Sequence, residues 1–97
     1  MNDIKVRFEL GEILYSYEID ARVSKDKKFD EFILDCLFRH VTGDWGNLSE
    51  QDKSENEYSM GKYLRIFSSY KYRNAEKIWI MTEADRQHTT VLFPNEY

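Results

Sequence analysis

The sequence predicts an α+β fold, a mainly antiparallel sheet of about five strands in the order β-β-α-α-β-β-β with one main amphipathic helix packed on it. Three observations predict it. Apolar residues alternate along Ile4–Ile19. Apolar residues recur at helical spacing from Phe29 to Val41. The last stretch, Lys77–Tyr97, holds two β-branched and aromatic runs around a polar connection. With 97 residues, 41% hydrophobic and 15% aromatic, residues 1–97 are expected to form a single domain around one core.

At the amino end, Ile4, Val6, Phe8 and Leu10 alternate with Lys5, Arg7 and Glu9, as in a half-buried strand. Gly11-Glu12 reads as a tight turn. Beyond it, Ile13, Tyr15, Tyr17 and Ile19 alternate with Leu14, Ser16, Glu18 and Asp20. The expectation is an amino-terminal β-hairpin. Ser24 and Asp26 then offer helix caps. Phe29, Phe32, Ile33, Cys36, Leu37, His40 and Val41 form one stripe, so the main helix spans roughly Lys27 to Thr42, with Gly43 as its stop. Cys36, the single cysteine, excludes an internal disulfide and a cysteine zinc site, and reads as core. His40 reads as a histidine partly buried near helix carbonyls, against a catalytic or metal role.

Gly43-Asp44-Trp45-Gly46-Asn47 follows, with glycines that allow unusual backbone angles. Trp45 either plugs the core from this loop or stands as an exposed anchor. Ser49-Glu50-Gln51-Asp52 has capping-box spacing, with Asp in place of the usual Glu or Gln, and starts a short helix over about Glu50–Ser59. That helix has almost no apolar stripe, so it lies on the surface. Tyr63–Tyr72 is read as the third strand, with Tyr63, Arg65, Phe67, Ser69 and Lys71 on one face. Ile78–Thr82 and Thr89–Phe93 close the chain as a hairpin, the first of them apolar on both faces and so inside the sheet. Pro94 ends the last strand. The connecting loop carries Glu83, Asp85, Arg86 and His88, whose plain reading is local turn and ion-pair contacts.

The net charge of −4 is unevenly placed. From Gly43 to Gly61 there are five acids and one base, so this window holds the whole excess; the other thirteen acids balance thirteen bases. Net acidity argues against wholesale binding to phosphate backbones. The chain has no glycine-rich phosphate loop, dinucleotide fingerprint, His-Glu-x-x-His or serine elbow. MNDIKVRFEL has no apolar signal core, so a cytoplasmic location is expected.

Gly43-Asp44-Trp45-Gly46, then Leu48, Asp52, Asn56 and Glu57, then Arg65, then Ile78-Trp79-Ile80, Thr82-Glu83-Ala84-Asp85-Arg86, Thr89-Thr90-Val91-Leu92, Pro94 and Glu96-Tyr97 form a pattern. Over roughly Arg39–Tyr97 it resembles a family of small proteins carried on plasmids and other mobile elements. These are often called "plasmid-related protein", or loosely "type I restriction endonuclease subunit M". An adenine methyltransferase would need a cofactor-binding α/β domain and an Asn-Pro-Pro-aromatic motif, and this chain has neither. The resemblance implies a mobile-element setting, where small acidic proteins often disable host defences. It implies no catalytic residue.

The expected function is therefore a small acidic, non-enzymatic protein-binding module of a mobile genetic element. Its concrete form is an anti-restriction or anti-CRISPR inhibitor whose partner is a host nuclease or defence subunit. The expected contacts are Trp45, Glu50, Asp52, Glu55 and Glu57, with Asp85 and Arg86 in the other loop. No cofactor or metal is expected. Two alternatives stand beside it. One is a single-stranded nucleic-acid module using Tyr63, Arg65, Lys71 and Arg73. The other is a small metal-dependent hydrolase built from Glu83, Asp85 and His88.

Overall fold

The computed structural model describes residues 5–97. Its elements run β1 (Glu12–Tyr15), α1 (Tyr17–Val23), α2 (Lys27–Val41), α3 (Glu50–Lys62), β2 (Ile66–Lys71), β3 (Lys77–Thr82) and β4 (His88–Leu92), with short 3-10 turns at Arg73–Ala75 and Pro94–Glu96. The fold is α+β, as expected. The sheet has four strands rather than five, in the order β1-β4-β3-β2, and it is mixed. β3 pairs antiparallel with both neighbours, whereas β1 runs parallel to β4.

The amino-terminal hairpin is the expectation that fails. Ile4 lies outside the described residues, and Lys5–Leu10 carries no strand. Instead Arg7 N–H donates to Val41 O at 2.9 Å, and the Leu10 carbonyl accepts from Thr89 Oγ1 at 2.7 Å. Gly11, at φ +66, lies so close to the Arg86–Gln87 backbone that a Cβ would collide with it. The chain passes through this gap and enters β1 beside β4, with Glu12 N–H on Gln87 O. The second half of the expected strand is helix α1. Ser16 is its N-cap, with Oγ accepting from Ile19 N–H, and Glu18 and Asp20 lie in the favourable first turn. Alternation along Tyr15–Ile19 placed Ile19 on a strand; the local cap and the burial of Ile19 on a helix decide otherwise.

Helix α2 agrees with expectation to within one residue. Asp26 caps it through Phe29 N–H, and Thr42 closes it. Its buried stripe is Phe29, Ile33, Cys36, Leu37, His40 and Val41. The stripe packs on the sheet face made by Tyr70, Ile78, Ile80 and Val91, joined by Ile19. Each fully buried side chain of this size contributes about 1.5–3 kcal/mol. Burial also pushes the Cys36 thiol up to about 12, so it stays protonated core. Helix α3 outruns its expected end and stops when Tyr63 takes a left-handed conformation, φ 53. That costs β2 its first three predicted residues, Tyr63–Arg65. β3 is interior to the sheet, as its two apolar faces implied.

Inside the core, His40 is fully buried and sits in a chain of hydroxyls. Thr89 Oγ1 donates to the Leu10 carbonyl, so the proton in its 2.7 Å contact with Thr82 Oγ1 comes from Thr82. The Thr82 oxygen must then accept from His40 Nε2–H at 2.9 Å. Nδ1 is left to accept from Ser68 Oγ–H at 2.5 Å. The imidazole is thus neutral with its proton on Nε2, and burial lowers its pKa to about 3. In the unfolded chain a histidine titrates at about 6.5. Between those values the unfolded state binds the extra proton, so stability is full above pH 6.5 and is lost as pH falls towards 3. The expected slope is about 1.4 kcal/mol per pH unit. Urea unfolding at pH 6.5 and pH 5.0 should differ by about 1.6 kcal/mol, and His40→Gln should flatten this slope. An equal slope in His40→Gln would place the acid sensitivity elsewhere.

Candidate protein-binding surface

Helix α3 is built on polar chemistry rather than on a stripe. Ser49 caps it through Asp52 N–H at 3.1 Å, and Glu50 and Asp52 lie in its first turn. Among its residues only Asn56 and Ser59 are buried. The Asn56 side-chain amide acts as a strand would: Nδ2 donates to Phe67 O at 2.5 Å, and Oδ1 accepts from Phe67 N–H at 3.1 Å. One residue pair further along, Asn47 N–H donates to Ser69 O and Ser69 N–H donates to Trp45 O. Helix and loop together therefore satisfy the outer edge of β2, which would otherwise invite another strand. This leaves the far side of α3 to solvent.

Of the expected contact residues, Glu50, Asp52 and Glu55 are exposed. The Glu50 side chain is 94% exposed, with Lys53 at 3.7 Å. Exposed Tyr58 (62%) and Leu64 stand beside Glu55, and Gln51, Ser54, Glu55, Tyr58, Ser59 and Leu64 line a shallow depression. Sequence reasoning missed Tyr58 and Leu64. Their signal was an aromatic on a helix with no apolar stripe, three residues after Glu55.

Glu57 is committed elsewhere. It takes both Arg7 guanidinium nitrogens, at 2.8 and 3.1 Å, and the Trp45 indole N–H at 3.0 Å. The Arg7 hydrogen bond holds its carboxyl below the usual range. Trp45 is the plug and not the anchor, with only 4% of its surface exposed. Its ring lies against Phe8 and His40, with centroids at 6.1 and 6.0 Å. The flanking glycines take φ +90 and +73, and a Cβ on Gly46 would collide with the Ser69 carbonyl and the Tyr70 ring. Asp44 fixes the same loop through Arg39, at 2.7 and 3.3 Å, and its carbonyl accepts from Tyr70 Oη.

Arg86 is also turned inwards. It is 6% exposed, and its guanidinium donates to the carbonyls of Leu64 (2.8 Å), Glu83 (3.0 Å), Ala84 (3.2 Å) and Ser59 (3.3 Å). It clamps the β3–β4 turn to the carboxyl end of α3, where a cation suits the helix dipole. Asp85 is exposed and accepts from Gln87 N–H within its own turn. Glu83 pairs with Arg65 at 3.3 Å, and His88 lies 3.7 Å from Glu12. Glu83, Asp85 and His88 thus face three different partners. Among the described residues no group of three His, Cys, Asp or Glu side chains is arranged to hold a metal ion. Nor is any described helix long and apolar enough to cross a membrane. Set against family models, curated proteins and solved structures, the chain matches none.

Proposed function

We propose that the chain is a small non-enzymatic protein-binding module of a mobile genetic element. It inhibits a host nuclease or defence subunit by occupying a basic surface with the outer face of α3. One observation carries this reading. Glu55 stands exposed beside Tyr58 and Leu64, and Glu50 and Asp52 are exposed in the first turn of the same helix, whose only buried side chains are Asn56 and Ser59. Carboxylates beside a tyrosine combine long-range steering with a rigid amphipathic contact, which a basic protein groove recognises. The resemblance to mobile-element proteins supplies the setting.

The test is capture of partner protein from host lysate by the tagged chain and by Glu50→Gln/Asp52→Asn/Glu55→Gln. Glu57 stays unchanged, because it holds Arg7 and Trp45. Capture should fall at least about tenfold in the triple variant and with rising salt. The α3 reading is lost if the triple variant captures as well as the parent.

A further inference from the structure

The sheet has a second face, turned away from α2. By alternation it carries Phe67, Ser69 and Lys71 on β2, Lys77, Trp79 and Met81 on β3, and Thr90 and Leu92 on β4. Phe67 and Trp79 meet edge to face at 5.1 Å, and Trp79 meets Tyr97 likewise at 5.9 Å. Phe67 and Trp79 are half-buried and Tyr97 is 74% exposed, so a contiguous aromatic row reaches solvent. At one end of the row stand Lys71 and Lys77. They are exposed and directly opposite each other in the ladder. Among the described residues neither forms an ion pair. Like charges in that position repel, and an anion between them would relieve the repulsion. At the other end Arg65 reaches the Tyr97 hydroxyl and Glu83, both at 3.3 Å. The acids bordering this face, Glu83 and Glu12, each already have a cationic or histidine neighbour.

From this arrangement we infer that the outer sheet face binds single-stranded nucleic acid, with Trp79 and Tyr97 stacking bases and Lys71 and Lys77 holding phosphates. The chemistry is that of a stacking platform beside cations. Lys77 and Trp79 are two residues apart on one strand, so their side chains leave the sheet about 6.6 Å apart. A base on the Trp79 ring therefore keeps its phosphate within reach of the lysine pair. The chain's net acidity does not oppose this, because its excess lies in Gly43–Gly61, at and beyond the β2 edge. Sequence reasoning placed a nucleic-acid surface on Tyr63, Arg65, Lys71 and Arg73. The fold replaces Tyr63, which lies outside β2, and Arg73, which lies in the 3-10 turn, with Trp79, Tyr97 and Lys77.

The inference does not depend on the acidic-surface reading, and the α3 triple variant serves as its control. A labelled oligothymidine of about twelve nucleotides should raise fluorescence anisotropy at low salt and quench the tryptophan emission that Trp79→Phe removes. Lys71→Glu/Lys77→Glu should weaken binding by at least about tenfold and lower the salt slope by about 1.4. Both positions are exposed, so this variant leaves the core intact. The α3 triple variant should bind as the parent does. Four results would each overturn the inference: no anisotropy change at low salt, binding unmoved by the lysine reversals, duplex bound as tightly as single strand, or protein capture that the lysine reversals abolish.

Discussion

Trp45→Ala is expected to lower the unfolding free energy by about 3–5 kcal/mol, the cost of deleting a buried tryptophan. For a domain of this size that is a large part of all its stability. The ring fills the space between Phe8 and His40. The indole N–H also shares Glu57 with Arg7, so truncation leaves that carboxylate with one cation and one fewer donor. Urea unfolding of parent and variant measures the loss. Trp45→Phe keeps most of the volume and should cost only about 1–2 kcal/mol, mainly the indole hydrogen bond and the unfilled rim. An unchanged midpoint in Trp45→Ala, with partner capture lost, would return Trp45 to the role of an exposed anchor.

Replacing Arg86 should cost nearly as much, and two substitutions separate its two contributions. Arg86→Gly removes the clamp, so the carbonyls of Leu64, Glu83, Ala84 and Ser59 lose a charged donor. Hydrogen bonds to charged groups are worth about 1.5–3 kcal/mol, and the shared donor makes these four far from additive, so about 3 kcal/mol is expected. Arg86 also sits at φ +62, where a side chain is strained and glycine is not. Arg86→Ala should therefore fall about 1 kcal/mol below Arg86→Gly. Equal stability of the two variants would deny the backbone contribution, and parental stability in both would deny the clamp. Because the clamp holds the carboxyl end of α3, partner capture by either variant must be measured where it remains folded.

What was legible in the sequence depended on the range of the forces concerned. Helix α2 could be read because its stripe, its Asp26 cap and its stop at Gly43 all lie within one stretch of chain. The closing hairpin could be read because β3 and β4 are near in sequence and strongly β-forming. The acidic outer face of α3 was legible from capping and charge alone. The amino-terminal hairpin was misread because alternation does not name a strand's partner. Glu12–Tyr15 finds His88–Val91, more than seventy residues away, once Gly11 brings the chain against the β3–β4 turn. Ser16 carried a helix-start signal that outweighed the alternation beyond it.

The candidate site divides in the same way. Residue type and capping suffice to put Glu50, Asp52 and Glu55 on a solvated helix. They do not show that Glu57 is taken by Arg7, fifty positions earlier, or that Arg86 turns inwards to four carbonyls. Nor do they show that Lys71 and Lys77 stand opposite each other beside Trp79 and Tyr97. By itself the sequence determined the class of fold, the main helix, the closing hairpin and the segment that carries the excess negative charge. Those follow from local propensity, capping and composition. Only the tertiary structure decided which charged and aromatic side chains face solvent, because each of them chooses between water and a partner distant in the chain.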